Sequence, residues 1–135
     1  MSAAIPSVGD RLVHKEFPPI TRHRLALYCG ASGDHNPIHV DLDFAKAAGF
    51  PDVFSHGMLV MGYLGQALTD AVVPSRIRSF STRFAAITQL GAKLTCEGVV
   101  IELIEHHGER RAKLALTTKD QNGEIKLAGE AIIAL

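Results

Sequence analysis

The sequence predicts an α+β fold in which about five mostly antiparallel strands wrap around one long central helix. Three observations carry that expectation. Beyond Pro74 the chain alternates apolar and polar residues almost to its end, the period of strands with one buried face. Residues 56–72, HGMLVMGYLGQALTDAV, are apolar on every side for three turns, the pattern of a helix buried within a domain. The later connections are too short for parallel crossovers.

The second half justifies its strands most directly. In RRAKLALTTKD, Ala112, Leu114, Leu116 and Thr118 share one face, while Arg111, Lys113 and Lys119 share the other. Asn122–Gly123 supplies the positive φ angles of a tight hairpin turn. Ile125, Leu127, Gly129, Ala131 and Ile133 then alternate again. Residues 92–105 predict a strand whose register changes midway. Leu94 and Cys96 stand at even positions, Val99, Ile101 and Leu103 at odd ones, and Gly98 marks the expected β-bulge. Residues 78–87 alternate through Phe80, Thr82 and Phe84, and a short first strand is expected around RLVHKEF.

The first half predicts the helices. Thr21 is a suitable N-cap for TRHRLALYCGAS, and DFAKAAG is a short helix stopped by Gly49 and Pro51. Within 56–72, Gly62 and Gly65 each cost about 1 kcal/mol relative to alanine. Two such losses predict that backbone or ligand approaches the helix closely there. A single-layer sheet leaves a face or an edge for a second subunit, so a dimer is expected.

Composition narrows the function classes. At 135 residues, 47% hydrophobic and 21% charged, the chain reads as one globular domain, 1–135. Fourteen basic residues balance fourteen acidic ones without any block of like charge, which removes the electrostatic case for nucleic acid or an anionic membrane. Cys29 and Cys96 stand apart, with no zinc-finger spacing, and read as free thiols in a reducing compartment. MSAAIPSVGDRLVHKEF lacks a basic region followed by an apolar run. The longest apolar stretch, Met58 to Leu68, is about half a bilayer-spanning length. A soluble cytoplasmic protein is the expectation.

Chemistry concentrates in GASGDHNPIHVD, residues 30–41. Asp34, His35, His39 and Asp41 are metal-ligand types, but metal sites want three or four convergent donors, often spaced on a helix. Pro37 breaks any helical phase between Asp34 and His39, so no metal is expected. A plain turn accounts for Asn36 and Pro37, yet a turn needs no imidazole five residues after its carboxylate. Acid–base work uses both Asp34 and His39, whose unperturbed pKa values lie near 3.9 and 6.5. The rigid Asn36–Pro37 step would let them bracket one water. Spacing alone leaves the turn and the acid–base pair both standing.

YCGASGDHNPIHVD, residues 28–41, resembles the signature of the MaoC-like, hydratase-2 type (R)-specific enoyl-thioester hydratases. That signature runs from an aromatic residue through small residues to G-D-x-N-P-aliphatic-H. Gly33, Asp34, Asn36, Pro37, Ile38 and His39 match it position for position. FAKAAGFPDVFSHGMLVMGYL resembles the family's passage into a buried helix that opens with H-G-M. The resemblance covers about residues 5–87 by motif and the remainder by strand pattern.

It implies a hot-dog fold and the reversible hydration of a trans-2-enoyl thioester to the (R)-3-hydroxyacyl thioester. Coenzyme A or acyl carrier protein enters only as the substrate's carrier, and no cofactor is implied. Carried over to this chain, Asp34 and His39 hold the catalytic water. One takes its proton as oxygen attacks C3 and the other relays a proton to C2, the halves being left open for a coupled pair. Asn36 orients one of them or the water. The Gly57 backbone N–H, at the start of the central helix, suits the developing enolate oxygen. His56 is implied to pack or cap the helix entrance, and with Tyr28, Met58 and Gly65 to border the substrate. Some relatives carry serine near Gly65, which leaves acyl preference open. His14, His23, His35, His106 and His107 are expected at the surface or in turns. A homodimer is expected, or a larger or mixed hot-dog assembly. Two alternatives stand beside hydration: an acyl-thioester hydrolase, or a non-catalytic hot-dog subunit of a heteromeric dehydratase. The hydrolase would aim its base at the carbonyl, and the non-catalytic subunit would be expected to lack the Asp or the His.

Overall fold

The computed structural model describes residues 4–135; residues 1–3, part of the stretch read for a leader, lie outside the described residues. In chain order the elements are β1 (Arg11–Glu16), α1 (Arg22–Ser32), α2 (Leu42–Ala47), α3 (Gly57–Ala71), β2 (Ile77–Phe84), β3 (Thr95–His106), β4 (Glu109–Lys119) and β5 (Ile125–Ala134). One sheet holds all five strands in the order β1-β3-β4-β5-β2, and every pairing is antiparallel. α3 packs on β1, β3 and β4. Its buried face, Leu59, Val60, Tyr63, Leu64, Ala67 and Leu68, meets Leu114, Leu116, Leu127 and Val100 in one core. This is the expected α+β hot-dog arrangement. No helix among the described residues is long and apolar enough to cross a membrane.

Local chemistry sets the ends of the helices. The Thr21 side chain accepts from the Arg24 N–H at 3.1 Å, and Gly33 ends α1 in the left-handed region at φ 77°. The Asp41 carboxylate accepts from the Phe44 N–H and opens α2, which replaces the ligand role that its residue type permits. In β4, Ala112, Leu114, Leu116 and Thr118 are all buried, as their spacing requires.

Several expected details are corrected. The register change in β3 falls at Ile101, between Val100 and Glu102, not at Gly98. Cys96, Gly98 and Val100 face inward, whereas Ile101 and Leu103 are each 45% exposed. Gly98 serves close packing instead: a Cβ there would lie 2.9 Å from Leu116 Cδ2 and 3.0 Å from Val13. The Asn122–Gly123 turn is wider than a two-residue hairpin, because only Gly123 has positive φ. The Asp120 carboxylate holds it by accepting from the Asn122 and Glu124 N–H groups, each at 2.9 Å. The tight hairpin is instead β3–β4, where His107 and Gly108 both have positive φ, as a type I′ turn demands.

The strand expected over 78–87 ends at Phe84, and the one expected from 92 begins at Thr95. α3 is not covered on every side. Met58 is 56% exposed and Gly57 and Gly62 are open, because one sheet covers only one side of a cylinder. Among the described residues, and apart from the helix's own backbone, nothing lies within 4 Å of a Cβ placed at Gly62, and one at Gly65 meets only the Phe80 ring at 3.6 Å. The close approach expected at those glycines is therefore not made within this chain.

Candidate active site

Between α1 and α2 the backbone is held by a run of neighbouring side chains. Ser32 Oγ accepts from the Asp34 N–H, Asp34 Oδ1 from the Asn36 N–H, and Asn36 Oδ1 from the Ile38 N–H, at 3.1 to 3.2 Å. Each link is an Asx- or Ser-type turn, in which a short polar side chain replaces a ladder bond. Asn36 and Pro37 open a single 3₁₀ turn that ends on His39. Asn36 thus works on the backbone, its side-chain oxygen accepting from the Ile38 N–H.

His39 is nearly buried. Its Nδ1 lies 2.7 Å from the Phe54 carbonyl oxygen and so carries the proton and donates it, leaving Nε2 with a free lone pair. The Phe54 ring meets the imidazole edge-on at 5.3 Å. His56 stacks on the other side of His39, with ring centroids 3.8 Å apart, and meets Tyr28 edge-on at 4.6 Å. Its Nε2 is 3.3 Å from the Asp34 carbonyl oxygen and 3.5 Å from Cys29 Sγ. Its Nδ1 is buried without a partner among the described residues. Burial first, and then the neighbouring His39, hold the His56 pKa below its ordinary value. A neutral His56 donating Nε2–H to the Asp34 carbonyl fits that environment.

The sequence pair therefore becomes a cluster: one polar atom each of Asp34, His39 and His56 lies within 4.8 Å of the others. His35, by contrast, is exposed, and Asp41 caps α2. Gly57 begins α3 directly behind His56, and no side chain caps that helix. A pocket of about 340 Å³ opens here, with His39, Phe54, Ser55 and Gly57 on one side and residues 84–87 on the other. A Cβ on Gly57 would come within 3.0 Å of the Phe84 ring, so only glycine keeps this end of the helix open.

Met58 and Gly65 lie outside the lining of this pocket, and Tyr28 reaches the cluster through His56. Sequence reasoning missed the Phe54 carbonyl and the wall formed by 84–87. The available signal for that wall was Ala85–Ala86, where the alternation of β2 stops.

Comparison with known proteins gives the family. Residues 5–122 match the family model described as MaoC like domain. The chain belongs to the MaoC-like family. Among its relatives is an (R)-specific enoyl-CoA hydratase of Rhodospirillum rubrum, 30% identical over 116 residues, which are 84% of this chain and 78% of that protein. An enoyl-CoA hydratase of Mycobacterium tuberculosis is 38% identical over 80 residues, covering 57% of this chain. The chain spans only 28% of the length of that protein. The unliganded R-hydratase of Pseudomonas aeruginosa superposes with a TM-score of 0.83 at 28% identity, over 96% of this chain and 82% of that one.

Proposed function

We propose that this MaoC-like chain hydrates a trans-2-enoyl thioester reversibly to the (R)-3-hydroxyacyl thioester. One observation carries the proposal: His39, anchored through Nδ1 on the Phe54 carbonyl, has a free Nε2 in the same cluster as the Asp34 carboxylate, beside the uncapped start of α3. The Asp34 carboxylate holds the water and His39 Nε2 takes its proton as the oxygen bonds to C3. The C2=C3 electron pair moves onto the thioester oxygen, where the Gly57 N–H receives the developing charge. Loss of one such donor costs about 3 kcal/mol in other enzymes. The proton then passes to C2, and the reverse sequence expels water.

Water and the thioester supply every atom, so the reaction needs no cofactor. Asp34, His39 and His56 bring three donor atoms within reach of one another, but a His56 that spends its Nε2–H on the Asp34 carbonyl offers that nitrogen to no metal, so the proposed reaction uses none. Coenzyme A or acyl carrier protein serves as the carrier. The open face of α3 around Met58 and Gly62 supports a homodimer. The two free, buried thiols suit a cytoplasmic protein.

Incubation with crotonyl-CoA and longer trans-2-enoyl-CoAs is expected to abolish the enoyl absorbance. Asp34→Asn and His39→Ala are each expected to lower that rate at least ~100-fold. Full activity in either variant removes that residue from the mechanism. Release of free thiol without hydration makes the chain a hydrolase, and activity only with a second chain makes it a subunit of a mixed assembly.

A further inference from the structure

We infer that Lys126 is a positioning residue for this site, acting through residues 84–89, of which 84–87 wall the pocket; this rests on the hydratase function proposed above. Lys126 is 2% exposed, which a lysine rarely is unless paired. Its Nζ pairs with Glu124 and lies 3.5 Å from Asp120 Oδ2, contacts that a turn-bracing ion pair would explain. A third contact goes beyond the turn. Nζ donates to the Ile87 carbonyl oxygen at 2.8 Å, across 39 positions of sequence. The Lys126 backbone carbonyl also accepts from the Ala85 N–H at 2.9 Å. One buried residue thus grips both ends of the short segment that walls the pocket.

That segment leads back to the catalytic pair. The Thr88 carbonyl accepts from the Ser55 N–H at 2.9 Å, and Gln89 bridges to Phe54. Phe54 carries the carbonyl that fixes the His39 tautomer, and Phe84, at the head of the segment, lies against Gly57. Lys126 therefore governs, through one strap of backbone, the orientation of the base and the space in front of the Gly57 N–H. A displacement of about 1 Å at such a distance from the chemistry can lower a rate 100-fold.

The test compares Lys126→Met with D120N/E124Q, which removes the ion pairs but leaves the donor to Ile87. Lys126→Met is expected to lower kcat roughly 10- to 100-fold, and D120N/E124Q to stay within about twofold of the parent. In 15N-histidine protein, the His39 Nδ1–H resonance, assigned by its loss in His39→Ala, is expected to shift or broaden in Lys126→Met alone. A folded Lys126→Met with parental kcat and an unchanged resonance overturns the proposal, as does an equal loss in D120N/E124Q. Should Lys126→Met not fold, Lys126→Met/Asp120→Asn removes the carboxylate left unpaired and is read the same way. In the unaltered protein, the Ser55 and Ala85 amides are expected to exchange as slowly as those of β4; free exchange there also overturns it. Inactivity of the parent on every enoyl thioester defeats the hydratase function instead, and the resonance and exchange measurements still decide Lys126.

Discussion

The β4–β5 hairpin and the 33–41 loop solve the same backbone problem by different means. In the hairpin the groups pair strand to strand from Arg111–Ala134 to Lys119–Ile125, and side chains alternate between core and outer face. In the loop the N–H groups of Asp34, Asn36 and Ile38 each go to a side-chain oxygen two residues earlier. The ladder leaves every second side chain free to fill the core. The loop commits its polar side chains to its own backbone, and what remains is the Asp34–His39 pair, whose imidazole lines a pocket. The sheet should therefore be sensitive to volume, and the loop to the loss of single polar atoms.

The largest expected effect lies in the sheet. A Cβ on Gly129 would sit 2.1 Å from the Ser81 carbonyl oxygen and 2.7 Å from Thr82 Cα. Both are backbone atoms of the edge strand β2 and cannot swing aside. Gly129→Ala is expected to destabilise the protein by about 3 kcal/mol, the upper end of ordinary overpacking. Urea unfolding measures it, and an unchanged midpoint would mean that β2 yields freely. Since β2 ends in Phe84, beside Gly57, activity should fall with stability in this variant.

The loop should behave in the opposite way. Asn36→Ala removes the oxygen that caps the turn carrying His39, at about 1 kcal/mol for a lost cap. The expected loss of hydration rate is larger in proportion, roughly 10-fold, because His39 loses its register against Phe54. Thermal melting and the enoyl-CoA assay, run on the same preparation, separate the two. A variant that loses stability while retaining its full rate would show that the Asx turns hold the fold and not the base.

This contrast also accounts for what the sequence disclosed. Ala112, Leu114, Leu116 and Thr118 declare their face because a strand has a period of two, and Thr21 declares a helix start because capping is local. Asp34 and His39 were legible because the turns between them span only five residues. His56 was harder: its stacking on His39 depends on how α3 meets the loop, 17 positions apart in the sequence. Lys126 and the Ile87 carbonyl were invisible, since a lysine in alternation with apolar residues reads as outward-facing. The bulge was misplaced for a related reason. A glycine in a strand signals either a bulge or a close approach, and only the positions of Val13 and Leu116 show that Gly98 is the second.

The smallest expected effect concerns charge at the far end of the sheet. Arg78 donates twice to the Glu109 carboxylate, both at 2.9 Å, and Arg111 donates once at 2.7 Å, which ties β2 to β4 across β5. Arg78 first, and then Arg111, pull the Glu109 pKa down from 4.5 to about 2. A carboxylate whose pKa is depressed in the folded state binds protons more readily when unfolded. Its contribution is therefore fully present above 4.5 and is lost as the pH falls toward 2. The group is about a third exposed, so solvent screens the pair and the effect is modest. The melting temperature of the parent should exceed that of Glu109→Gln at neutral pH, and the gap should close between pH 4.5 and 2. Added salt should narrow the same gap at neutral pH, while leaving the hydrogen bonds of the 33–41 loop in place. A gap that persists at pH 2 would mean that Glu109 stabilises the sheet by packing rather than by charge.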